Sequence, residues 1–166
     1  MNITFKPITE FDFPQLFRWV HTPHVKKWWH LDALPWEQFQ EKYTKNLHNS
    51  NVHGYIFSVD EEPLGFIQYY DAHKIPDAFG NKDPEGTYGM DLYIANPEYL
   101  GKGYGTKTLQ AFLTLIKQRH TVKKFIIDPH PDNIAAIKAY EKVGFNKIHE
   151  EDQPNYGKVV IMELNL

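Results

Sequence analysis

The sequence predicts an α+β domain built on a mixed central sheet. The prediction depends on a strand-like N-terminus, amphipathic helical stretches lying between short apolar runs, and two strand-like segments that close the chain. With 42% hydrophobic and 23% charged residues among 166, the composition is that of an ordinary globular protein. No repeat or low-complexity tract divides the chain, so a single domain is predicted over residues 1–166.

The first half contains three predicted strands and their helices. In order they are an edge strand over 2–8, a helix capped by Thr9 or Asp12 and running through Trp19, a short helix or turn over 23–30, a helix over 35–47, and strands over 53–59 and 64–70 joined by a hairpin turn at 60–63. The helix over 35–47 has the clearest pattern, because apolar residues recur there every three or four positions.

The second half continues the alternation after a long polar loop over 71–87. The predicted elements are a strand over 88–95, a helix over 104–119, a strand over 123–128, a helix capped by Asp132 or Asn133 and ended by Gly144, and strands over 145–150 and 158–164. The sheet thus has about six to seven strands, with about four helices beside it. A loop as long as 71–87 is more often functional than idle.

Composition excludes several classes of protein. A net charge of −3 argues against nucleic-acid binding, and no apolar run reaches the roughly 18 residues of a membrane span. The N-terminus lacks the apolar core of a signal peptide, and the absence of cysteine excludes disulfides, so a cytoplasmic protein is predicted. The histidines at 21, 24 and 130 are not joined by a usual ligand set, so no metal is predicted.

A glycine-rich loop joins the strand over 88–95 to the helix over 104–119. Gly101, Gly103 and Gly105 would let backbone amides at the positive end of the helix approach a phosphate, and Lys102 and Lys107 add charge. The GxGxG spacing differs from GxGxxG, and the Walker pattern is absent, which argues against dinucleotide and NTP sites. A tight strand-to-helix turn without a ligand is the alternative interpretation.

The segments LGKGYGTKTLQAFL (100–113) and DPHPDNIAAIKAYEKVGF (128–145) together resemble the coenzyme A site of the GCN5-related N-acetyltransferase (GNAT) superfamily. The resemblance covers residues 88–145, and the element order outside that range also fits. The superfamily pattern Gln/Arg-x-x-Gly-x-Gly/Ala falls on Leu100, Gly103 and Gly105, and Leu100 departs from it. The resemblance implies a single-domain GNAT (acyl-CoA N-acyltransferase) fold, with the sheet splayed at an acetyl-CoA cleft.

The same resemblance assigns the cofactor residues. It implies that amides from 101 to 106 hold the pyrophosphate, that Asn133 contacts the pantetheine arm, and that Tyr140 protonates the leaving thiolate. The cofactor-binding residues it implies are Leu92, Ile94, Gly101, Lys102, Gly103, Tyr104, Gly105, Thr106, Asn133, Ala136 and Tyr140. A core tyrosine on an amphipathic helix is the alternative for Tyr140.

Within the superfamily, the chain is most similar to the aminoglycoside 6′-N-acetyltransferases, through VKKWW (25–29), EEPLGFIQYYDA (61–72) and GMDLYIANPEYLGKGYGTK (89–107). That resemblance puts Asp91 beside the acceptor amine, and Asp91 and Tyr140 are therefore predicted to be catalytic. A carboxylate can bind an ammonium group and take its proton, which makes the amine nucleophilic. The predicted acceptor-binding residues are Trp28, Trp29, Tyr70, Asp71, Asp91 and Asp128.

Four of the predicted acceptor residues also have a plainer interpretation. Asp91 could be a strand-edge carboxylate, Asp128 could cap a turn before Pro129, and the paired tryptophans could belong to the core. The loop over 71–87 carries lysines, and it has Phe79 where the drug-modifying relatives are richer in tryptophan and acids. A different acceptor amine therefore remains open.

The predicted activity is direct transfer of an acetyl group from acetyl-CoA to a primary amine, with the aminoglycoside 6′-amino group favoured. The alternatives are a siderophore-type acyltransferase, to which His24 and the tryptophan pair also point, a protein or peptide acetyltransferase, and a non-catalytic acyl-CoA-binding module. The predicted partner is a small-molecule amine, with no nucleic acid and no membrane. A monomer or homodimer is expected.

Overall fold

The computed structural model describes residues 1–29, 34–75, 83–154 and 156–166. The strands are β1 (Ile3–Pro7), β2 (Val52–Val59), β3 (Glu62–Asp71), β4 (Thr87–Ile94), β5 (Lys124–Ile127), β6 (Asn146–Gln153) and β7 (Gly157–Asn165). The helices are α1 (Phe13–Val20), α2 (Pro23–Lys26), α3 (Trp36–His48), α4 (Tyr104–Arg119) and α5 (Ile134–Val143), with 3-10 turns at Glu10–Asp12 and Pro97–Tyr99.

The strands form one mixed sheet in the order β1-β2-β3-β4-β5-β7-β6. Pairing is antiparallel between β1 and β2, between β5 and β7 and between β6 and β7, whereas β4 and β5 are parallel. The predicted α+β class, the mixed sheet and the edge position of the first strand are confirmed. The sheet has seven strands, which is the higher of the two predicted numbers. The described ranges contain five α-helices instead of about four.

The extra helix comes from the segment 23–30, whose described part contains the single turn α2; its last residue lies outside the described residues. The first helix begins at Phe13, after the 3-10 turn, because the Asp12 carboxylate accepts from the Thr9 backbone N–H at 2.8 Å and holds that turn. The part of the 71–87 loop from 76 to 82, including Phe79, lies outside the described residues as well.

Two turns follow directly from local sequence. Asp60 and Glu61 both have positive φ, 48° and 71°, as a two-residue hairpin turn of type I′ requires, so the turn between β2 and β3 is tighter than predicted. At α5, Asn133 and not Asp132 is the cap: its Oδ1 accepts from the Ala136 N–H at 3.3 Å. Gly144, with φ of 110°, ends that helix as predicted.

The chain folds into two compact units. The first comprises Met1–Tyr69 and Leu92–Leu100, and the second comprises Tyr70–Asp91 and Gly101–Leu166. The core of the first unit is made of buried side chains that include Phe13, Leu16, Val20, Phe39, Tyr43, Ile56, Phe66 and Tyr93. The second unit buries the apolar stripe of α4, which consists of Leu109, Phe112, Leu113 and Ile116. The single domain over 1–166 stays a prediction.

The parallel pairing between β4 and β5 is short. It joins Thr87, Tyr88 and Gly89 to three residues of β5, the last of which is Ile126. β4 continues for five residues beyond the last pair, from Gly89 to Ile94, whereas β5 continues for only one residue, from Ile126 to Ile127. The pairing thus stops where the predicted splay would begin, and Asp91 lies past it, toward the carboxyl end of the strand, where open sheets commonly bind ligands.

Gly65 of β3 is enclosed by the first unit's backbone and core. A Cβ built there would lie 2.0 Å from the carbonyl oxygen of Tyr93 and 2.7 Å from the ring of Phe57. We expect Gly65→Ala to lower the free energy of unfolding in urea by about 3 kcal/mol or more, since a backbone oxygen cannot rotate away. The matched variant Gly54→Ala meets only side-chain atoms, at 3.0 Å and beyond, and should lose less. Equal stability of the two variants would contradict the clash.

Candidate active site

Four ionisable side chains gather around Asp91 in the second unit. Asp91 comes from β4, Asp128 directly follows β5, Tyr140 comes from α5, Tyr70 from the end of β3, and Tyr156 from the turn between β6 and β7. Burial raises the pKa of each of the other four, and the negative charge of Asp91 raises each pKa further. Asp91 is therefore the electrostatic centre of a cluster drawn from five parts of the chain, and we call these five residues the Asp91 cluster.

The alternation of β4 sets the direction of Asp91. Met90 is almost fully buried, at 1% exposure, and successive strand residues point to opposite faces, so Asp91 lies on the other face and is only half-buried. Gly89 makes room for the neighbouring aromatic ring: a Cβ there would lie 2.3 Å from two ring carbons of Tyr70. The absence of a side chain at Gly89 thus lets Tyr70 pack down beside Asp91.

Asp128 is placed where its negative charge is unfavourable. Burial and the charge of Asp91 raise the pKa of Asp128 well above its usual range, and Glu151 contributes in the same direction. A hydrogen bond from the side chain of Gln153 works against this rise by favouring the ionised form. Two neighbouring carboxylates in a half-buried setting repel each other, and a cation bound between them would relieve that repulsion.

Tyr140 is buried, at 8% exposure, and its ring lies 6.0 Å from that of Phe145 between centroids. Burial raises the pKa of Tyr140 strongly, with further contributions from the charges of Asp91 and Asp128. Its hydroxyl therefore keeps its proton at neutral and moderately alkaline pH. This side chain is both a core residue, as the alternative interpretation held, and a protonated hydroxyl close to two carboxylates.

The glycine-rich loop has the geometry that a phosphate needs. Gly101 and Gly103 have φ of 70° and 82°, in the left-handed region that favours glycine. Gly103 is the N-cap of α4, and within the described residues no side chain caps that end of the helix. The hydrogen-bond ladder of α4 begins with the Lys107 N–H, which donates to the Gly103 carbonyl at 3.1 Å, and the N–H groups of the turn before it point toward the end of the helix.

The same loop also leaves space for a ligand. Apart from the chain neighbours of each glycine, none of the described residues comes within 4 Å of a Cβ built at Gly101 or Gly103. Gly105 and Thr106 follow within the first turn, and Lys102 is exposed beside them. A pyrophosphate therefore fits this loop by geometry and by charge.

The other predicted cofactor residues lie in three places. Because the Oδ1 of Asn133 caps α5, the amide group that it can offer a ligand is its NH₂. Ala136 lies half-buried one turn further along α5. Leu92 and Ile94 belong to the part of β4 in the first unit, where the Ile94 carbonyl accepts from the Nε2 of His24 at 2.8 Å. This bond makes His24 an anchor for the end of β4.

The predicted acceptor residues outside the Asp91 cluster have other surroundings. Trp29 packs edge-on against Tyr93, at 4.9 Å between ring centroids, and lies half-buried against the core of the first unit. Trp28 lies in the same unit and receives the ammonium of Lys27 over its ring at 4.6 Å. An acceptor-binding role for either tryptophan stays a prediction.

Asp71 adjoins Tyr70 in β3 but has a different neighbourhood. Its Oδ2 is 3.5 Å from the Nζ of Lys74, and its charge acts on Tyr88 and His120. Adjacent strand residues point to opposite faces, which explains the separation from Tyr70. An acceptor-binding role for Asp71 also stays a prediction.

Sequence reasoning missed the residues that β6 and its turn bring to the Asp91 cluster. They are Glu151, Gln153 and Tyr156. None belongs to a recognised motif, and the predicted strand over 145–150 stops before them because their sequence is polar. The only available signal was the alternation of charged and amide side chains that leads into the last strand.

Membrane spans and metal clusters are both missing from the described ranges. Among the helices of those ranges, none is long and apolar enough to cross a membrane. In the same part of the chain, no three His, Cys, Asp or Glu side chains are grouped to hold a metal ion. That the protein needs no metal stays a prediction.

Comparisons with known proteins agree on one family. Residues 9–153 match the family model described as acetyltransferase (GNAT) domain. The chain is 35% identical over 150 residues to an aminoglycoside N(6′)-acetyltransferase type 1 from Klebsiella pneumoniae, covering 88% of this chain and 75% of that protein. It is 29% identical over 110 residues to a spermine/spermidine N(1)-acetyltransferase from Bacillus subtilis, covering 62% and 70% of the two chains.

Solved structures extend the likeness to the whole fold. The aminoglycoside acetyltransferase AAC(6′)-Ib in complex with coenzyme A and kanamycin superimposes with a TM-score of 0.86 at 33% identity. The match covers 99% of this chain and 95% of that chain. A second complex of the same enzyme, with paromomycin and acetyl-CoA, gives a TM-score of 0.87 at 32% identity, with 99% and 94% covered.

Proposed function

The chain belongs to the GNAT family of acetyltransferases, and on that premise we propose that it transfers an acetyl group from acetyl-CoA to the 6′-amino group of an aminoglycoside. The observation that carries the proposal is the Asp91 cluster, in which a carboxylate pair adjoins a buried, protonated tyrosine. The Klebsiella relative and the AAC(6′)-Ib complexes support both the reaction and the class of acceptor.

The glycine-rich loop would hold the coenzyme. Amides of residues 101–106 are placed to donate to the pyrophosphate at the positive end of α4, with Lys102 as a nearby cation. Asn133 would donate its NH₂ to the pantetheine arm. When bound, acetyl-CoA supplies an acetyl group activated as a thioester. With no cysteine in the chain, we infer direct transfer to the amine and no acyl-cysteine.

Asp91 would prepare the acceptor. A primary amine arrives as an ammonium ion, which cannot attack a carbonyl carbon until it loses a proton. The carboxylates of Asp91 and Asp128 would bind that cation, and Asp91 would accept its proton directly or through a water molecule. The amine nitrogen then forms the new bond to the acetyl carbon as the bond from that carbon to sulfur breaks.

Tyr140 would complete the proton balance. The departing sulfur carries a negative charge, and the Tyr140 hydroxyl holds a proton that it can donate there. Burial and the nearby carboxylates raise the pKa of Tyr140, so its hydroxyl still carries a proton when the thiolate develops beside it. The proton taken from the amine and the proton given to sulfur thus pass through different residues.

A polyamine is the second candidate acceptor. The Asp91–Asp128 pair would attract any compact polycation, and the Bacillus relative is a spermine/spermidine acetyltransferase. The identity to the aminoglycoside enzyme is higher and extends over more of the chain, which favours the aminoglycoside.

The test is a thiol-release assay with acetyl-CoA and a panel of amines. Neomycin and paromomycin form a matched pair, because they differ in carrying an amino or a hydroxyl group at position 6′. We expect turnover of neomycin, with a much lower kcat/KM for paromomycin. Equal turnover of the two would exclude the 6′-amino group as the acceptor position.

Other arms of the panel separate the alternatives. Turnover of spermidine alone would favour a polyamine acetyltransferase, and turnover of a hydroxylysine derivative or of peptides alone would favour a siderophore-type or protein acetyltransferase. Coenzyme A binding by calorimetry, without thiol release from any amine, would favour a non-catalytic module. The oligomeric state and the cytoplasmic location stay predictions alongside these tests.

A further inference from the structure

The ring of Tyr70 lies directly on the backbone of Gly89. A Cβ built at Gly89 would be 2.3 Å from two ring carbons of Tyr70 and 2.6 Å from its hydroxyl oxygen. We propose that Gly89 is a positioning residue for the acceptor: because it carries no side chain, the Tyr70 ring forms a wall beside Asp91 that limits how far the amine enters the site. The role in acetyl transfer rests on the proposed function, whereas the contact between Gly89 and Tyr70 does not.

The sheet places this ring next to the carboxylate pair. Gly89 and Asp91 are alternate residues of β4, so they share one face and lie about 7 Å apart along the strand. Gly89 is also the last β4 residue paired with β5, and its partner is Ile126. Asp128 follows two residues after Ile126. The ring therefore closes the end of the site at which the two strands are still paired, and both carboxylates come one step beyond it.

Apolar packing holds the ring from a second direction. Tyr70 packs against a cluster of buried side chains, which are Ala72, Ile126, Val159 and Ile161. The end of β3 is fixed to β4 as well, since the Ala72 N–H donates to the Thr87 carbonyl at 3.0 Å. The ring thus has little room to slide along the sheet. A methyl group at residue 89 would push it outward, away from the sheet and into the space that the acceptor would use.

A side chain at residue 89 would shift the ring by enough to affect catalysis. Non-bonded carbon atoms ordinarily approach to about 3.5 Å, so a methyl carbon only 2.3 Å from the ring forces a movement of about 1 Å. A misplacement of that size can lower turnover about a hundredfold. The ring carbons are closer to the Cβ position than the hydroxyl oxygen is, so the wall depends on the ring. Phenylalanine in place of Tyr70 should therefore preserve it.

The experiment combines substitutions at residues 89 and 70 and measures the kinetics of neomycin acetylation. We expect Gly89→Ala to lower kcat/KM for neomycin about a hundredfold, while the affinity for acetyl-CoA, measured by calorimetry, does not change. Tyr70→Phe should stay close to wild type, and Gly89→Ala should be equally harmful in that background. In a Tyr70→Ala background, Gly89→Ala should have no further effect, because no ring is left to displace.

Tyr88→Leu is the control for a loss of stability alone. Tyr88 adjoins Gly89 on the opposite face of β4 and is buried, at 8% exposure. Its truncation should lower the free energy of unfolding without changing the KM for neomycin. Nuclear Overhauser contacts between the ring protons of Tyr70 and the α-protons of Gly89 report the position of the ring in the wild-type protein, independently of activity.

Wild-type kinetics in Gly89→Ala would overturn the proposal, as would a further loss from Gly89→Ala in the Tyr70→Ala background. If Gly89→Ala alone does not fold, the double variant decides: activity equal to that of Tyr70→Ala supports the role of the ring, and a failure to fold overturns it. If the wild-type protein acetylates no amine, the proposed function fails, and the Overhauser contacts alone decide whether the Tyr70 ring lies on Gly89.

Discussion

Asparagine in place of Asp91 is expected to lower kcat/KM for the acceptor amine by about a thousandfold, within the range that general acid–base groups usually supply. Asparagine keeps the shape of the side chain but can neither accept the proton nor balance the charge of an ammonium ion. Acetyl-CoA binding, measured by calorimetry without an amine, should be unchanged, because the coenzyme's phosphates would be held at the glycine-rich loop. The measurement is steady-state kinetics with neomycin across a pH series.

The same variant has a second readout that does not depend on activity. The charge of Asp91 helps to raise the pKa of Asp128, so Asp91→Asn should lower the Asp128 titration midpoint toward its usual range. Asp152→Asn, which removes an exposed carboxylate from the outer face of β6, should change neither quantity. A kcat/KM within a few-fold of wild type would show that Asp91 is only a strand-edge carboxylate.

Phenylalanine in place of Tyr140 is expected to lower kcat by about a hundredfold or more, with little change in the KM for acetyl-CoA. The substitution removes one hydroxyl from a buried ring and leaves its packing against Phe145 in place. Folding stability should therefore change far less than turnover. Single-turnover measurements of thiol release will show whether the chemical step is the one that slows.

Tyr156→Phe is the matched control for that loss. Tyr156 adjoins the same two carboxylates but is 46% exposed, and no proton transfer is assigned to it. Its removal should alter the KM for the amine more than kcat. Tyr140 is expected to stay protonated through the alkaline range, so no alkaline decline in wild-type kcat should trace to it. If Tyr140→Phe turns over as fast as wild type, another group protonates the leaving thiolate.

Regular periodicity made most of the fold predictable from the sequence. The helix Tyr104–Arg119 was predicted with its observed ends, because a glycine-rich turn precedes it and a 3.6-residue apolar stripe runs along it. The end of α5 at Gly144 followed from the positive φ that only glycine adopts easily. The single turn of α2 was ambiguous, since four residues contain too little of a period to separate a helix from a turn.

The candidate site was less predictable. Only the family resemblance predicted that Asp91, Asp128 and Tyr140 belong to one site. No property of the isolated residues indicated it. Trp29 was assigned to the acceptor site by the same resemblance; it lies half-buried against the core of the first unit, and the assignment stays a prediction. Glu151 and Gln153 were missed because their influence on the pKa of Asp128 joins residues far apart in the sequence, a relation that local patterns do not encode.

The carboxylate pair also has a consequence for folding. Since the pKa of Asp128 is higher in the folded protein than in the unfolded chain, the folded state retains a proton that the unfolded state has already released. Its contribution to stability is therefore fully present below the unfolded pKa and is lost as the pH rises through the folded one. Without a bound acceptor, the folded protein at neutral pH has lost some stability, because an ionised Asp128 is repelled by Asp91. A bound polycation would remove that repulsion and restore the stability. The acceptor is thus expected to act as a folding ligand, and its stabilising effect should grow with pH until its own amino groups lose their protons.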